Sequence, residues 1–109
     1  MALDHVDTCE VVNLAKNDGG GSGHASRALV KNEAFEAIVM ELTAGKQIPA
    51  HSVEGPIIVQ CLDGEVDFSV EGQPHVMKAG DWMHLPGGAS HALDAHQDTR
   101  LLVTILFPK

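Results

Sequence analysis

Apolar residues in this chain occur in short runs that alternate with polar residues, and Gly, Pro and Asp separate the runs. The alternation is clear over residues 38–42 and 66–70, whereas residues 101–107 are apolar enough to predict a strand that is buried on both faces. No long stretch keeps the period of a helix. The pattern therefore predicts an all-β domain.

Turn-forming pairs at 63–64, 71–72 and 79–80 predict where strands end. The pair Asp63-Gly64 lies between two apolar runs and predicts a β-hairpin that joins them. Residues 34–42 have a composition that would also permit a helix, but the neighbouring strands favour a strand. Residues 17–23 predict a flexible loop, which lacks the Gly-Lys-Ser/Thr ending of a phosphate-binding loop.

Residues 80–91 join a predicted strand to a tight turn and end in a histidine. Pro86 fixes φ, and Gly88 tolerates a positive φ, so the chain can turn sharply before His91 begins the next strand. A histidine in this position can point into a β-barrel. There a neutral imidazole can bind a metal, carry a proton or accept a hydrogen bond.

This segment resembles the second signature of the cupin family. That signature runs Gly, five residues, Pro, one residue, Gly, two residues, His, three residues, Asn. Gly80, Pro86, Gly88 and His91 stand at the matching positions, and Ala95 replaces the Asn.

The first cupin signature runs Gly, five residues, His, one residue, His, three or four residues, Glu, six residues, Gly. Gly45, His51 and Gly64 match it, but Val53 replaces the second His and Ile57 replaces the Glu. Neither aliphatic side chain can bind a metal. The three histidines and one glutamate of the family are therefore reduced to His51 and the histidine of the second signature.

The resemblance extends from about Phe35 to Phe107 and implies a double-stranded β-helix, the cupin jelly-roll barrel. We expect the barrel to comprise residues 35–109, and residues 1–34 to supply flanking strands and the Gly-rich loop. Cupins often pair through their sheets. The resemblance thus also implies a homodimer, for which the outward-facing Ile58, Gln60 and Leu62 could form the contact patch.

His51 and His91 are the predicted catalytic or ligand-contacting residues. Because side chains alternate along a strand, apolar residues should surround them. The predicted pocket residues are Val53, Ile57, Val59, Trp82 and Ala95.

A metal would need a third protein ligand, because two histidines alone bind weakly. His84 is the preferred candidate, while simple alternation points Glu54 and Gln60 away from the cavity. The resemblance implies one weakly held divalent transition metal, Fe, Mn, Ni or Zn. Its candidate ligands are His51 and His91 with His84 as the third, and the absence of a metal is the alternative.

The remaining histidines have different expected positions. His75 could reach the cavity from a neighbouring strand, whereas His5, His24 and His96 are expected at the surface.

The formal net charge of −8 would repel nucleic acid phosphates and anionic lipid headgroups, so neither nucleic acid nor membrane is an expected partner. Cys9 and Cys61 form no disulfide framework or zinc module. The first residues are acidic where a signal peptide would be basic and then apolar. We therefore expect a cytoplasmic protein with a small-molecule ligand or substrate.

Three functional hypotheses follow. The first is an enzyme similar to the small cupin dioxygenases or isomerases, in which a metal or a histidine acts on a compact organic substrate. The second is a binding or sensing module that holds a small molecule without metal, which the apolar Val53 and Ile57 favour. The third is a vestigial site on a fold that acts through its surface.

Overall fold

The computed structural model describes residues 5–14 and 26–108, and these residues contain nine β-strands. Within these ranges no helix is long and apolar enough to cross a membrane. In chain order the strands are β1 (Arg27–Lys31), β2 (Phe35–Leu42), β3 (Gln47–His51), β4 (Ile57–Asp63), β5 (Glu65–Val70), β6 (Val76–Lys78), β7 (Trp82–Leu85), β8 (His91–Ala95) and β9 (Thr99–Leu106).

The strands form two antiparallel sheets that pack against each other. The five-stranded sheet has the order β1-β2-β9-β4-β7, and the four-stranded sheet has the order β3-β8-β5-β6. The core lies between the sheets and contains residues from both, including Val59, Leu101, Val66 and Phe68. The predicted all-β jelly-roll architecture is confirmed.

The hairpin predicted at Asp63-Gly64 is wrong, because β4 and β5 belong to different sheets. Gly64 has a φ of 90°, and an added Cβ would collide with the backbone of Thr99. The pair therefore forms a tight corner that carries the chain from one sheet to the other. By contrast, the turn at Glu71 and Gly72 does join two paired strands, β5 and β6.

The prediction for residues 101–107 is only partly correct. Leu101 and Val103 are buried in the core, but Leu102 is half-buried and Leu106 is 36% exposed. The outer face of β9 therefore remains accessible, because the second sheet covers only the inner face of the five-stranded sheet. The pattern of apolar residues alone did not distinguish these two faces.

Residues 35–42 form a strand, as predicted, and no helix. β1 pairs with β2 at the edge of the five-stranded sheet, so residues 27–31 are hydrogen-bonded to the barrel. The division of the chain at residue 35 stays a prediction. The Gly-rich loop at 17–23 lies outside the described residues.

Candidate functional site

His51 and His91 meet because the last residue of β3 pairs with the first residue of β8. Side chains of directly opposed residues in an antiparallel pair lie on the same face. The two imidazole ring centroids are 4.3 Å apart, and the ring planes are inclined by 58°. Two histidines that are distant in the chain therefore form one polar group in the barrel.

The two rings lie at different depths. His91 is only 5% exposed, and its ring stacks on Phe68 with a centroid distance of 5.6 Å and an angle of 9°. His51 is exposed. His91 therefore forms the inner part of the histidine pair, and His51 forms the part nearer to solvent.

Both imidazoles are oriented by the same local hydrogen bond. Nδ1 of His51 lies 3.1 Å from the carbonyl oxygen of Pro49, and Nδ1 of His91 lies 3.1 Å from that of Ala89. A carbonyl oxygen can only accept a hydrogen bond, so Nδ1 carries the proton in each ring. In the neutral form, Nε2 of each ring is then unprotonated and carries a lone pair that can accept a hydrogen bond.

Burial favours this neutral form at the inner histidine. Loss of solvation is the main cause that lowers the pKa of His91 below its ordinary value, and the neighbouring His51 lowers it further. The hydrogen bond to Ala89 opposes the shift without reversing it. His91 is therefore predominantly neutral at pH 7.

The two histidines line a cavity of about 150 Å³ whose other walls are apolar. The apolar lining residues are Ile38, Met40, Val53, Ile57, Phe68, Leu93, Val103 and Ile105. Of the predicted site residues, this cavity brings together His51, His91, Val53 and Ile57.

The other predicted pocket residues lie elsewhere. Val59 and Ala95 are buried in the core but do not line the cavity. The expectation that Trp82 lines the pocket is wrong, because Trp82 is 57% exposed. It lies opposite Gln60 in the β4–β7 pair, on the face of β4 that points away from the core.

His84 is also misplaced by the sequence prediction. It lies opposite Ile58 on the same outer face, and its ring is 5.6 Å from that of Trp82. It therefore cannot join His51 and His91 as a metal ligand. Glu54 is exposed and does not line the cavity, and Gln60 is on the outer face of β4.

Across residues 5–14 and 26–108, no three side chains of His, Cys, Asp or Glu lie close enough together to hold a metal ion. The cavity offers two imidazole nitrogens, which is fewer than the three protein ligands typical of a catalytic zinc site. The described residues thus do not fit the predicted metal site.

The remaining histidines are separate from the cavity. His75 is exposed, and its Nδ1 lies 3.3 Å from the carbonyl oxygen of Phe68, so the expectation that it could reach the cavity is wrong. His5 and His96 are exposed, as expected, and His24 lies outside the described residues.

Sequence reasoning did not select the six other residues of the cavity wall. These are Ile38, Met40, Phe68, Leu93, Val103 and Ile105. Alternation along β2, β5 and β8 indicated which of these residues share a face, although the apolar run of β9 did not distinguish its two faces. It did not show which part of that face the second sheet leaves unfilled.

Comparison with solved structures finds the same fold in other proteins. A conserved protein of unknown function from Streptococcus pyogenes is 23% identical with a TM-score of 0.80, and the match covers 100% of this chain and 96% of that one. A cupin superfamily protein from Desulfitobacterium hafniense is 17% identical with a TM-score of 0.79, covering 99% and 100%. KdgF from a Halomonas species is 18% identical with a TM-score of 0.70, covering 81% of each chain.

A search of curated proteins found no match. The family model described as the Cupin domain matches residues 38–107, which is more than half of the chain. These residues include both histidines of the cavity and all eight of its apolar lining residues. The chain therefore belongs to the cupin family.

Proposed function

We propose that this cupin binds a small organic molecule in the barrel cavity without the help of a metal. The supporting observation is a mostly apolar cavity with one polar feature, the pair of His51 and His91. Ligand pockets commonly combine apolar walls with a few polar groups that fix the orientation of the ligand. The apolar walls would supply affinity, and the imidazoles would supply orientation.

The cavity volume sets the size of the ligand. An apolar cavity of about 150 Å³ in another protein is large enough for benzene, and the volume here is about 150 Å³. The ligand is therefore a single ring or a short branched chain. A larger molecule would have to extend past His51 towards solvent.

The donor set favours this proposal over a metal-dependent enzyme of the dioxygenase or isomerase type. A site for Fe, Mn, Ni or Zn would need a further protein ligand, and neither His84 nor Glu54 is at the cavity. Val53 and Ile57 occupy the cavity wall with aliphatic side chains. Metal analysis of protein purified without a polyhistidine tag provides the test, and a stoichiometric transition metal would overturn the metal-free proposal.

The binding proposal is tested by NMR titration with benzene and toluene. We expect methyl signals of Ile38, Ile57 and Val103, which line the cavity, to shift. The methyl signals of Val76, which is 53% exposed and does not line the cavity, should not shift. Unchanged cavity signals at millimolar ligand would contradict the proposal.

Two variants make the titration specific to the cavity. Val53→Phe should fill part of the 150 Å³ and weaken toluene binding by roughly tenfold or more. Val76→Phe adds the same ring at an exposed position and should leave binding unchanged. Equal affinities in the two variants would place the ligand outside this cavity.

A second candidate function is metal-independent proton transfer, which the unprotonated Nε2 atoms favour. One Nε2 would take a proton from a C–H or O–H group of the ligand, and the proton would return to another ligand atom. Small cyclic ketones in D₂O provide a probe, because exchange of their α-protons is visible by NMR. Equal exchange rates with the native protein, His51→Leu and His91→Leu would exclude this candidate.

A further inference from the structure

Among the described residues, the polar part of the cavity contains hydrogen-bond acceptors but no free side-chain donors. The Nδ1 protons of His51 and His91 are already donated to the carbonyl oxygens of Pro49 and Ala89. The other eight lining side chains are aliphatic, thioether or phenyl groups, which have no N–H or O–H. When both imidazoles are neutral, the cavity therefore presents two Nε2 lone pairs. None of the described lining side chains has a free N–H or O–H to donate to them.

The backbone enforces this arrangement in both strands. In each case the accepting carbonyl belongs to the residue two positions before the histidine. Rotation of either ring to present Nδ1 to the cavity would break that hydrogen bond. The protonation pattern is thus a property of the strand ends rather than of a freely rotating side chain.

The Nε2 atom of His91 is accessible from the cavity although the residue is buried. No buried side-chain nitrogen or oxygen among the described residues lacks a hydrogen-bond partner. Within the same part of the chain, the His91 ring forms its hydrogen bond through Nδ1 and not through Nε2. Nε2 must therefore have contact with open space. The cavity that this ring lines supplies that space.

Three kinds of ligand are disfavoured by this chemistry. A carboxylate would bring more acceptors to a site without donors, in a chain of net charge −8. An ammonium group would lose its hydration against mostly apolar walls. A pure hydrocarbon would fit but would leave both lone pairs without a partner when it displaces water.

Resting on the proposed binding function, we propose that the cavity selects an uncharged, ring-sized ligand with one hydroxyl or N–H donor, which Nε2 of His51 or His91 accepts. Phenol is the simplest such molecule. The two ring centroids are 4.3 Å apart, and both imidazoles line the same cavity. Selection then depends on the donor, whereas the general affinity depends on the apolar walls.

The test compares phenol, toluene and benzoate, which differ in one substituent of the same ring. NMR titration should give a phenol affinity roughly fivefold higher than that of toluene, the effect of one hydrogen bond. Benzoate should bind roughly tenfold or more weakly than phenol. In protein with ¹⁵N-labelled histidine, phenol should shift the Nε2 signals, whereas toluene should not.

Replacement of each histidine by an apolar residue separates the donor preference from the general affinity. His51→Leu and His91→Leu should each reduce the preference for phenol over toluene, while retained toluene binding shows that the cavity is folded. His84→Leu is the matched control, because His84 lies on the outer face of the β4–β7 pair. That variant should keep the full preference.

The outcomes distinguish this inference from the proposed function. If toluene binds as tightly as phenol, or benzoate binds most tightly, the donor inference is wrong and the apolar binding cavity remains. If Nδ1 rather than Nε2 is the unprotonated nitrogen, the donor inference also fails. If none of the three ligands shifts signals of the cavity wall, both proposals are wrong.

Discussion

His91 and His96 lie at opposite ends of β8 and have opposite electrostatic environments. His91 begins the strand in a buried position, and burial lowers the pKa of its imidazole. His96 follows the strand at the surface, with Nδ1 3.0 Å from Oε2 of Glu65. The hydrogen bond to Glu65 is the main cause that raises the pKa of His96, and Asp94 and Asp67 act in the same direction. One residue type thus serves two electrostatic roles.

The lowered pKa of His91 and the raised pKa of His96 predict that the two residues change the stability of the fold in opposite directions as pH rises. The unfolded chain binds a proton at His91 more readily than the folded chain does, so this residue destabilises the fold as pH falls below about 6.5. His96 contributes stability that is fully present below about pH 6.5 and is lost as pH rises through its raised folded pKa. Urea unfolding from pH 5.5 to 8 measures both effects.

Two variants separate these contributions. His91→Leu should remove the destabilisation on the acid side and leave the contribution of His96. His96→Gln retains a hydrogen-bond donor near Glu65 but cannot be protonated, so it should remove the loss of stability above pH 6.5. Parallel stability curves for the native protein and both variants would contradict the electrostatic assignment.

At the level of the elements, two turns lie against each other beside the cavity. The turn after β3 and the turn before β8 are joined by a hydrogen bond of 2.8 Å from the N–H of Gly88 to the carbonyl of Val53. An added Cβ at Gly87 would collide with the carbonyl oxygen of Glu54. The two strand ends that present the histidines are therefore held together by close backbone contact.

Gly87→Ala should consequently lower the free energy of unfolding by about 3 kcal/mol, because the added methyl group overpacks the contact. Gly45→Ala is the control, since Gly45 has a φ of 87° but no atom within 4 Å of an added Cβ. Backbone strain alone should cost that variant about 1 kcal/mol. Chemical denaturation measures the stability of both variants. A loss of stability in Gly87→Ala that is equal to or smaller than the loss in Gly45→Ala would contradict the predicted collision.

The sequence predicted the strands well because alternation is a local property. It could not predict which sheet each strand joins, since Asp63-Gly64 specifies a tight turn and not the partner of the following strand. The same limit applies to the site. Trp82 and His84 were placed in the pocket, but the face that they occupy is set by the pairing of β7 with β4, which no local pattern contains.

The histidine pair could be predicted because both positions belong to signatures with fixed spacing. The shape of the cavity could not, because it depends on how side chains from both sheets fill the space between them. Phe68 is an example: its alternation predicted an inner position, but its stacking on His91 requires the pairing of β5 with β8. The pairing of strands that are distant in the chain therefore determines which side chains reach the cavity.

For the whole molecule, the two outer sheet surfaces differ in charge. On the four-stranded sheet, Asp67 lies directly opposite Asp94, and Glu65 points to the same side. On the five-stranded sheet, the outward residues of β4 and β7, and those of β9 from Leu102 onward, carry no formal charge. They are Ile58, Gln60, Leu62, Trp82, His84, Leu102, Thr104 and Leu106. We call these eight residues the uncharged face.

The uncharged face is where a second copy of this chain would meet the least repulsion, because each copy has a net charge of −8. Its most prominent apolar side chain is Trp82, which is 57% exposed. Aromatic residues of this kind commonly supply much of the binding energy at protein interfaces. We therefore predict a homodimer that pairs through this face and includes the patch of Ile58, Gln60 and Leu62.

Trp82→Glu should convert such a dimer to monomer, since it would remove the aromatic contact and place two carboxylates near the same interface. Val76→Glu adds the same charge at a residue that is 53% exposed on the other sheet, so it should leave the dimer intact. Sedimentation velocity at several protein concentrations measures both. The uncharged face is excluded as the interface if the native protein remains monomeric, or if the Trp82→Glu variant remains dimeric. Loss of the dimer in both variants would indicate a general effect of added charge.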